Sequence, residues 1–109
     1  MLPLDDVRVL DFSTLLPGPL ASLVLAEAGA EVIKVERPGA GEDMRGYPPQ
    51  LSGTGGGFAL LNRGKKAIAL DLRAEGAAAS LLALAPTLDI VLEQFRPGVM
   101  ARLGLGYEA

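Results

Sequence analysis

The sequence predicts an α/β fold built on a doubly wound parallel sheet of about four strands. Short apolar runs of strand length alternate along the 109 residues with segments whose apolar residues recur at helical spacing. The strand segments are also continuously apolar, as in Val9-Leu10 and Val32-Ile33. That pattern is expected where helices cover both faces of a parallel sheet. The crossovers between such strands should be right-handed.

The first part of the chain is predicted to be a βαβ unit. In order it contains the strand Val7–Phe12, a turn with Pro17-Gly18-Pro19, the helix Leu20–Ala28 and the strand Glu31–Glu36. Gly29 provides the left-handed residue that ends the helix. One apolar stripe of this helix should face the core. It consists of Leu20, Leu23, Val24 and Ala28.

A long segment, Arg37–Gly57, separates this unit from the rest. It is rich in Gly and Pro and has almost no apolar periodicity, which predicts an irregular segment that is either a functional loop or partly disordered. The elements predicted after it are a helical turn at Phe58–Leu61, a strand at Ala67–Leu72, a helix at Ala74–Ala85, a strand at Ile90–Glu93 and a short helix at Val99–Leu103. Because Leu105–Ala109 resembles the approach to another helix, we expect the chain to be a fragment of a longer polypeptide.

The composition excludes several kinds of chemistry. The chain has no Cys and no His, which rules out disulfides, thiol catalysis, Cys/His zinc sites and imidazole acid–base catalysis. A net charge of −3 argues against general binding to nucleic acid or to an anionic membrane. No run approaches the roughly 20 apolar residues needed to span a bilayer, and the chain lacks the basic start of a signal peptide. We expect a cytoplasmic protein without a metal.

Four carboxylates lie at or near the ends of the predicted strands, where open parallel sheets bind their ligands. One interpretation makes them acid–base or ribose-binding groups, and the favoured one makes them caps that accept hydrogen bonds from backbone amides. They are Asp11, Glu36, Asp71 and Glu93.

Two nucleotide-binding motifs are absent. Glu36 ends the second strand where a ribose-binding acid would lie, but the preceding turn lacks G-x-G-x-x-G and has two prolines without amide donors. Gly64-Lys65 resembles the end of a P-loop, but Lys66 replaces the required Ser or Thr. A nicotinamide-binding or nucleotide-binding module that uses Glu36 remains an alternative.

Cations cluster on the predicted loops of this acidic chain. Their placement suits a phosphorylated ligand, although ordinary solvated surface explains their charge equally well. They are Arg37, Arg45, Arg63, Lys65, Lys66, Arg96 and Arg102. Phe95 follows the fourth strand directly and either stacks on an aromatic base or belongs to the core.

Three segments in this order resemble one family. VRVLDFSTLLPGPLASLVLAEAGAEVIKVERPG, LNRGKKAIALDL and DIVLEQFRPGVMARLGLGYE are similar to the amino-terminal part of the class III CoA transferases, the CaiB/BaiF family. This family includes formyl-CoA transferase and α-methylacyl-CoA racemase. The resemblance implies a Rossmann-like large domain that binds coenzyme A or an acyl-CoA, in a longer subunit that forms an interlocked homodimer. The parent enzyme would transfer CoA between carboxylic acids or racemise a 2-methylacyl-CoA.

The resemblance also implies a set of ligand contacts. Thr14, Leu16 and Pro17 would line the pantetheine arm near the acyl site; Arg37 and Arg102 would meet phosphates; Asn62 and Lys65 would contact adenosine and phosphate; Gln94 and Phe95 would border the CoA. Gln94 stands where the family more often has Asn, and Pro17 is similar to the racemases while LNRGKK is similar to the transferases.

The resemblance places the catalytic groups elsewhere. The nucleophilic Asp of the transferases and the His/Asp pair of the racemases lie beyond the matched region. No catalytic residue is therefore assigned to residues 1–109, and the fragment itself should be inactive. The non-enzyme alternative is a truncated interaction module whose exposed apolar faces drive association.

Overall fold

The computed structural model describes residues 1–108, apart from the side chain of residue 51. Its strands are β1 (Arg8–Asp11), β2 (Glu31–Glu36), β3 (Gln50–Leu51), β4 (Thr54–Gly55), β5 (Lys66–Ala69) and β6 (Ile90–Leu92). Its helices are α1 (Pro17–Glu27), α2 (Gly56–Asn62), α3 (Ala77–Leu82) and α4 (Val99–Arg102). Single 3₁₀ turns form at Asp43–Gly46 and Ala85–Thr87. None of the helices within residues 1–108 is long and apolar enough to span a membrane.

Four strands form one parallel sheet in the order β5-β2-β1-β6. The chain therefore builds outward from β1 in one direction through β2 and β5, then returns to place β6 on the other side. This arrangement confirms the predicted parallel α/β fold. The strand order reverses between β1 and β6, and in open α/β sheets such a reversal creates a crevice for ligands at the carboxyl ends.

Both faces of the central strands β1 and β2 are covered, and alternate residues of β1 serve the two cores. On one face Leu10 and Phe12 pack with Val35 and with Leu81 of α3. On the other face Val9 packs with Val32 and Ala30. This two-sided burial explains why the strands are continuously apolar in sequence.

The long segment after β2 contains regular structure, so its prediction as wholly irregular is wrong. The strands β3 and β4 pair antiparallel in a short hairpin. Its two turn residues, Ser52 and Gly53, both have positive φ, as the preferred two-residue hairpin turn requires. Apolar periodicity misses this hairpin because its strands are only two residues long.

The orientation predicted for α1 is wrong in part. Leu23 is buried, but Leu20 is 47% exposed and Val24 is 61% exposed. The helix instead buries the small residues Gly18 and Ser22. A side chain on Gly18 would place its Cβ 2.1 Å from Ser13 Cβ, so α1 approaches the end of β1 too closely for larger residues. The helix also begins at Pro17, since proline is well suited to a first helical turn.

Several other elements are shorter than predicted, among them β5 and α3. β5 ends at Ala69 instead of Leu72, because its partner β2 ends at Glu36 and offers only one further carbonyl, to Leu70 N–H. α3 begins at Ala77, after Gly76 in the left-handed region, instead of at Ala74.

Candidate functional site

A groove of about 790 Å³ runs along the carboxyl ends of the strands. We call it the carboxyl-edge groove. Four of the nine sequence-predicted site residues line it: Thr14, Arg37, Phe95 and Arg102. Thr14 follows β1, Arg37 follows β2, and both Phe95 and Arg102 follow β6. The fold brings them together because parallel strands end at a common edge.

One wall of the groove is apolar. Phe95 packs against Phe12 with ring centroids 6.5 Å apart and planes tilted by 53°, a favourable aromatic geometry. Val35, Leu70 and Leu72 continue this wall. The surface can accept a flat ring or an alkyl chain.

Three arginines, Arg37, Arg73 and Arg102, supply positive charge to the groove. Arg37 pairs with Asp43, but both side chains are more than half exposed, so a stronger anion can compete for the guanidinium. Arg102 lies in the last turn of α4. Sequence reasoning missed Arg73, although it follows the strand-end carboxylate Asp71 by two residues. This placement was the available signal.

Gln94 joins the two strands at the point where the sheet order reverses. Its Nε2 donates to the Thr14 carbonyl oxygen at 2.6 Å, and its Oε1 accepts the Gly18 N–H at 2.9 Å. The side chain thereby fixes the turn after β1 against the segment after β6. Leu16 and Pro17 are exposed at the start of α1 and lie outside the groove lining.

All four strand-end carboxylates accept backbone hydrogen bonds. Asp11 accepts from Ser13 N–H, Glu36 from Glu42 N–H, Asp71 from Arg73 N–H and Glu93 from Phe95 N–H, at 2.8–3.0 Å. This result agrees with their favoured interpretation as caps.

The Glu36 carboxylate is already bound to Arg45, which disfavours a role in binding ribose. Both of its oxygens accept from Arg45 at 2.7 Å, and these hydrogen bonds hold the pKa of the Glu36 carboxyl below its ordinary value. In the first turn of α1, Pro17 and Pro19 lack amide hydrogens and Gly18 N–H is bound to Gln94. The first turn thus has too few free donors for a pyrophosphate.

The structure places Asn62 and Lys65 in a buried polar cluster beneath α1. Lys65 Nζ, on a side chain that is 1% exposed, donates to Asn62 Oδ1 at 2.8 Å and to the Pro19 carbonyl at 3.0 Å. It also lies 3.7 Å from Asp11 Oδ2, which accepts from Ser22. Burial lowers the pKa of the Lys65 ammonium to about 8, although the Asp11 charge opposes that shift. Neither side chain belongs to the groove lining.

A second buried ion pair joins β2 to the long loop. Lys34 Nζ lies 2.8 Å from Glu42 Oε2, and both side chains are 1% exposed. Sequence reasoning missed this pair. A single lysine in a strand predicted to be covered on both faces was the available signal, because a buried charge requires a partner.

Nearly the whole chain also matches a known family. Residues 4–109 match the model of CoA-transferase family III. The chain belongs to this family. The predicted resemblance is thus confirmed.

Curated relatives of this family III chain include several named transferases. It is 52% identical to a probable fatty acyl-CoA transferase of Mycobacterium tuberculosis, with 95% of this chain and 27% of the relative covered. It is 42% identical to the acetyl-CoA:oxalate CoA-transferase of Acetobacter aceti, covering 97% and 27% of the two chains. Identity to the human succinyl-CoA:glutarate CoA-transferase is 43%, covering 97% and 24%. The family III chain therefore spans about a quarter of the length of these relatives.

Solved structures share its fold. A crystal structure of the same mycobacterial protein superposes with a TM-score of 0.90 at 50% identity, covering 99% of this chain and 30% of the other. A CaiB/BaiF family protein from Brucella suis gives a TM-score of 0.89 at 36% identity, covering 98% and 29%.

Proposed function

We propose that this chain is the coenzyme A-binding part of a class III CoA transferase. The observation that carries this proposal is the carboxyl-edge groove, where three arginines and an aromatic, apolar wall meet in a member of this family. Coenzyme A has phosphates, an adenine ring and a pantetheine arm, which need cations, a flat apolar surface and a channel respectively. The transferase names of the relatives support CoA transfer between carboxylic acids over racemisation.

We assign the phosphate end of CoA to Arg37, Arg73 and Arg102, whose guanidinium groups can form bidentate contacts with phosphate. Phe95 borders the adenine or the start of the pantetheine arm. Thr14, Gln94 and the exposed residues Leu16 and Pro17 lie at the opposite, acyl end. Of these acyl-end residues only Thr14 lines the carboxyl-edge groove, whereas Leu16, Pro17 and Gln94 lie outside its lining.

Asn62 and Lys65 have a supporting role in this proposal. Direct contact with ligand would require Lys65 to leave two hydrogen bonds and a nearby carboxylate. Breaking these contacts would leave buried polar groups without partners, which costs free energy. An exposed arginine can bind a phosphate without that cost. We propose that both residues act by holding α1, and with it the turn before it.

The reaction itself needs a group outside this set. The four strand-end carboxylates accept hydrogen bonds from backbone amides, and we assign none of these four as the nucleophile. We propose that residues 1–109 bind and orient the CoA moiety and that the catalytic carboxylate lies beyond them.

We further propose that the protein is a cytoplasmic homodimer. Leu20 and Val24, one turn apart on α1, are about half exposed or more, and Leu60 on the neighbouring helix α2 is 61% exposed. Complete burial of such a side chain contributes about 1.5–3 kcal/mol, and roughly half of this remains to be gained at each position, so a second copy that covers them would add stability. A monomer at all concentrations in sedimentation equilibrium would contradict this proposal.

Calorimetric titration of this chain with CoA and, separately, with NADH tests the main proposal. CoA should bind and NADH should not. Binding of NADH without CoA would favour the nucleotide-binding alternative, and self-association with neither ligand bound would favour the interaction module. Pantetheine is the control ligand, since it lacks the nucleotide and phosphates that the arginines would hold.

A further inference from the structure

The turn after β1 is held by side chains from three distant segments. The Ser13 carbonyl accepts from Lys34 Nζ at 2.8 Å, and the Thr14 carbonyl accepts from Gln94 Nε2 at 2.6 Å. Leu15 N–H donates to Glu42 Oε1. Three successive residues are thus fixed individually, which is far more than a connecting turn needs.

The Lys34–Glu42 pair provides two of these three contacts. Lys34 binds the residue before Thr14 and Glu42 binds the residue after it, while the two charges neutralise each other at 2.8 Å. Burial of an ion pair is costly, and an apolar pair often stabilises a fold equally well. The pair is therefore better explained by the local geometry that it imposes than by stability.

That geometry is unfavourable for the turn itself. Leu15 has φ of 65°, in the left-handed region that residues other than glycine rarely occupy. Such conformations persist only where surrounding contacts enforce them, and they concentrate at ligand sites. Thr14, the residue between the two contacts, lines the carboxyl-edge groove, and so does Glu42.

We propose that the Lys34–Glu42 pair is a positioning device that holds Thr14 toward the acyl end of a bound CoA thioester. This inference rests on the proposed function, since it assigns a task to the turn at one end of that ligand. Lys34 and Glu42 are positioning residues: they act through the backbone of Ser13 and Leu15 and do not take part in the reaction. Their removal should affect the pantetheine and acyl end of the ligand and leave the nucleotide end unchanged.

The test compares two ligands on this chain by calorimetric titration: acetyl-CoA and adenosine 3′,5′-bisphosphate, which contains the nucleotide end alone. Glu42→Leu removes the acceptor for Leu15 N–H. It should weaken acetyl-CoA about tenfold, the usual effect of losing a charge-assisted hydrogen bond, and change the affinity for the bisphosphate less than about twofold. Lys34→Met should give the same pattern. A role in stability alone would lower both affinities together.

Each single variant leaves a buried charge without its partner and could fail to fold for that reason. A double variant that removes both charges avoids this problem. Lys34→Met combined with Glu42→Leu removes both charges and keeps the volume similar, which buried ion pairs often tolerate. It should retain the fold by circular dichroism and still lose acetyl-CoA selectively. Glu27→Leu is the matched control, because Glu27 forms a 2.7 Å ion pair with Arg63 on the surface and neither residue lines the groove.

Equal losses for the two ligands, or unchanged affinity for acetyl-CoA in the folded double variant, would overturn the inference while the proposed function stands. Failure of the unaltered chain to bind acetyl-CoA would overturn the proposed function and this inference with it. The two failures are distinguished because only the second appears in the unsubstituted chain.

Discussion

Glu36 binds Arg45 through both carboxylate oxygens, each 2.7 Å from a guanidinium nitrogen. This ion pair holds the long loop against the carboxyl end of β2. Glu36 also accepts a hydrogen bond from Glu42 N–H in the same loop. The Arg45 guanidinium also lies 3.9 Å from the centre of the Phe58 ring on α2. The loop is thus an ordered part of the site, and Glu42 reaches the turn after β1 because of it.

Replacement of Arg45 by Met should destabilise the chain by roughly 1–3 kcal/mol, since it leaves the buried Glu36 carboxylate without its charged partner. The value is at the lower end of this range because the Arg45 side chain is 36% exposed and partly screened. Urea denaturation measures the change. Arg63→Met, which removes the exposed pair with Glu27, is the control and should cost about 1 kcal/mol or less. Equal costs for the two variants would contradict the structural role of Arg45.

Acid should weaken the fold through Glu36. Hydrogen bonds from Arg45 keep the pKa of this carboxyl in the folded state below its ordinary value near 4.5. The unfolded chain therefore takes up the proton first, and the stability that Glu36 contributes above pH 4.5 is lost as the pH falls through its folded pKa. Arg45→Met should flatten this part of the pH profile of the unfolding free energy. An unchanged slope would show that another carboxylate governs acid unfolding.

Whereas acid weakens the fold through Glu36, alkaline pH should stabilise it through Lys65. Its pKa is lowered from 10.5 to about 8 by burial, so between these values the unfolded chain binds a proton that the folded chain has released. The free energy of unfolding should therefore rise with pH across this window. Lys65→Met should remove the rise, as followed by urea denaturation at several pH values. Lys66→Met, at a side chain that is 70% exposed, should keep it.

Gly18 should not tolerate a side chain. A Cβ at this position would lie 2.1 Å from Ser13 Cβ and 2.6 Å from Gln94 Oε1, so Gly18→Ala must move α1 away from the turn. Overpacking of this kind costs about 1–3 kcal/mol or more. Gly57→Ala is the matched control in the first turn of α2, where the nearest atom is Met44 Sδ at 3.4 Å. Thermal unfolding of both variants measures the difference, and similar melting temperatures would contradict the close approach of α1.

The three groove arginines should recognise phosphate. Replacement of Arg37, Arg73 or Arg102 by Ala should weaken CoA about tenfold or more and weaken dephospho-CoA or pantetheine less, because charge-assisted contacts are worth about 1.5–3 kcal/mol. Calorimetric titration of the three ligands measures the effect. Arg96→Ala is the control, at a cation that does not line the groove. Equal loss for all three ligands would reject the phosphate assignment for the arginine concerned.

Local patterns predicted much of the fold. Continuous apolar runs identified all four strands of the parallel sheet, and Glu31–Glu36 matched β2 residue for residue. The sequence alone also singled out Thr14, Arg37, Phe95 and Arg102, which meet in the groove because strands of a parallel sheet end at one edge. The β3–β4 hairpin was not predictable in this way, because two-residue strands are too short to show a repeat of apolar residues. The buried side of α1 was not predictable either, because part of it consists of the small residues Gly18 and Ser22 and not of large apolar ones.

The sequence by itself determined the family, the α/β class and the edge of the sheet that carries the groove, because these follow from short-range patterns and from motifs in order. Only the tertiary structure decided the partners of the buried charges. Lys34 meets Glu42 because the loop after β2 turns back over the strand, Lys65 meets Asp11 across a long stretch of chain, and Gln94 meets Thr14 from the other end of the sequence. A buried charge needs a partner, but which segment supplies it depends on how the packed elements meet in space.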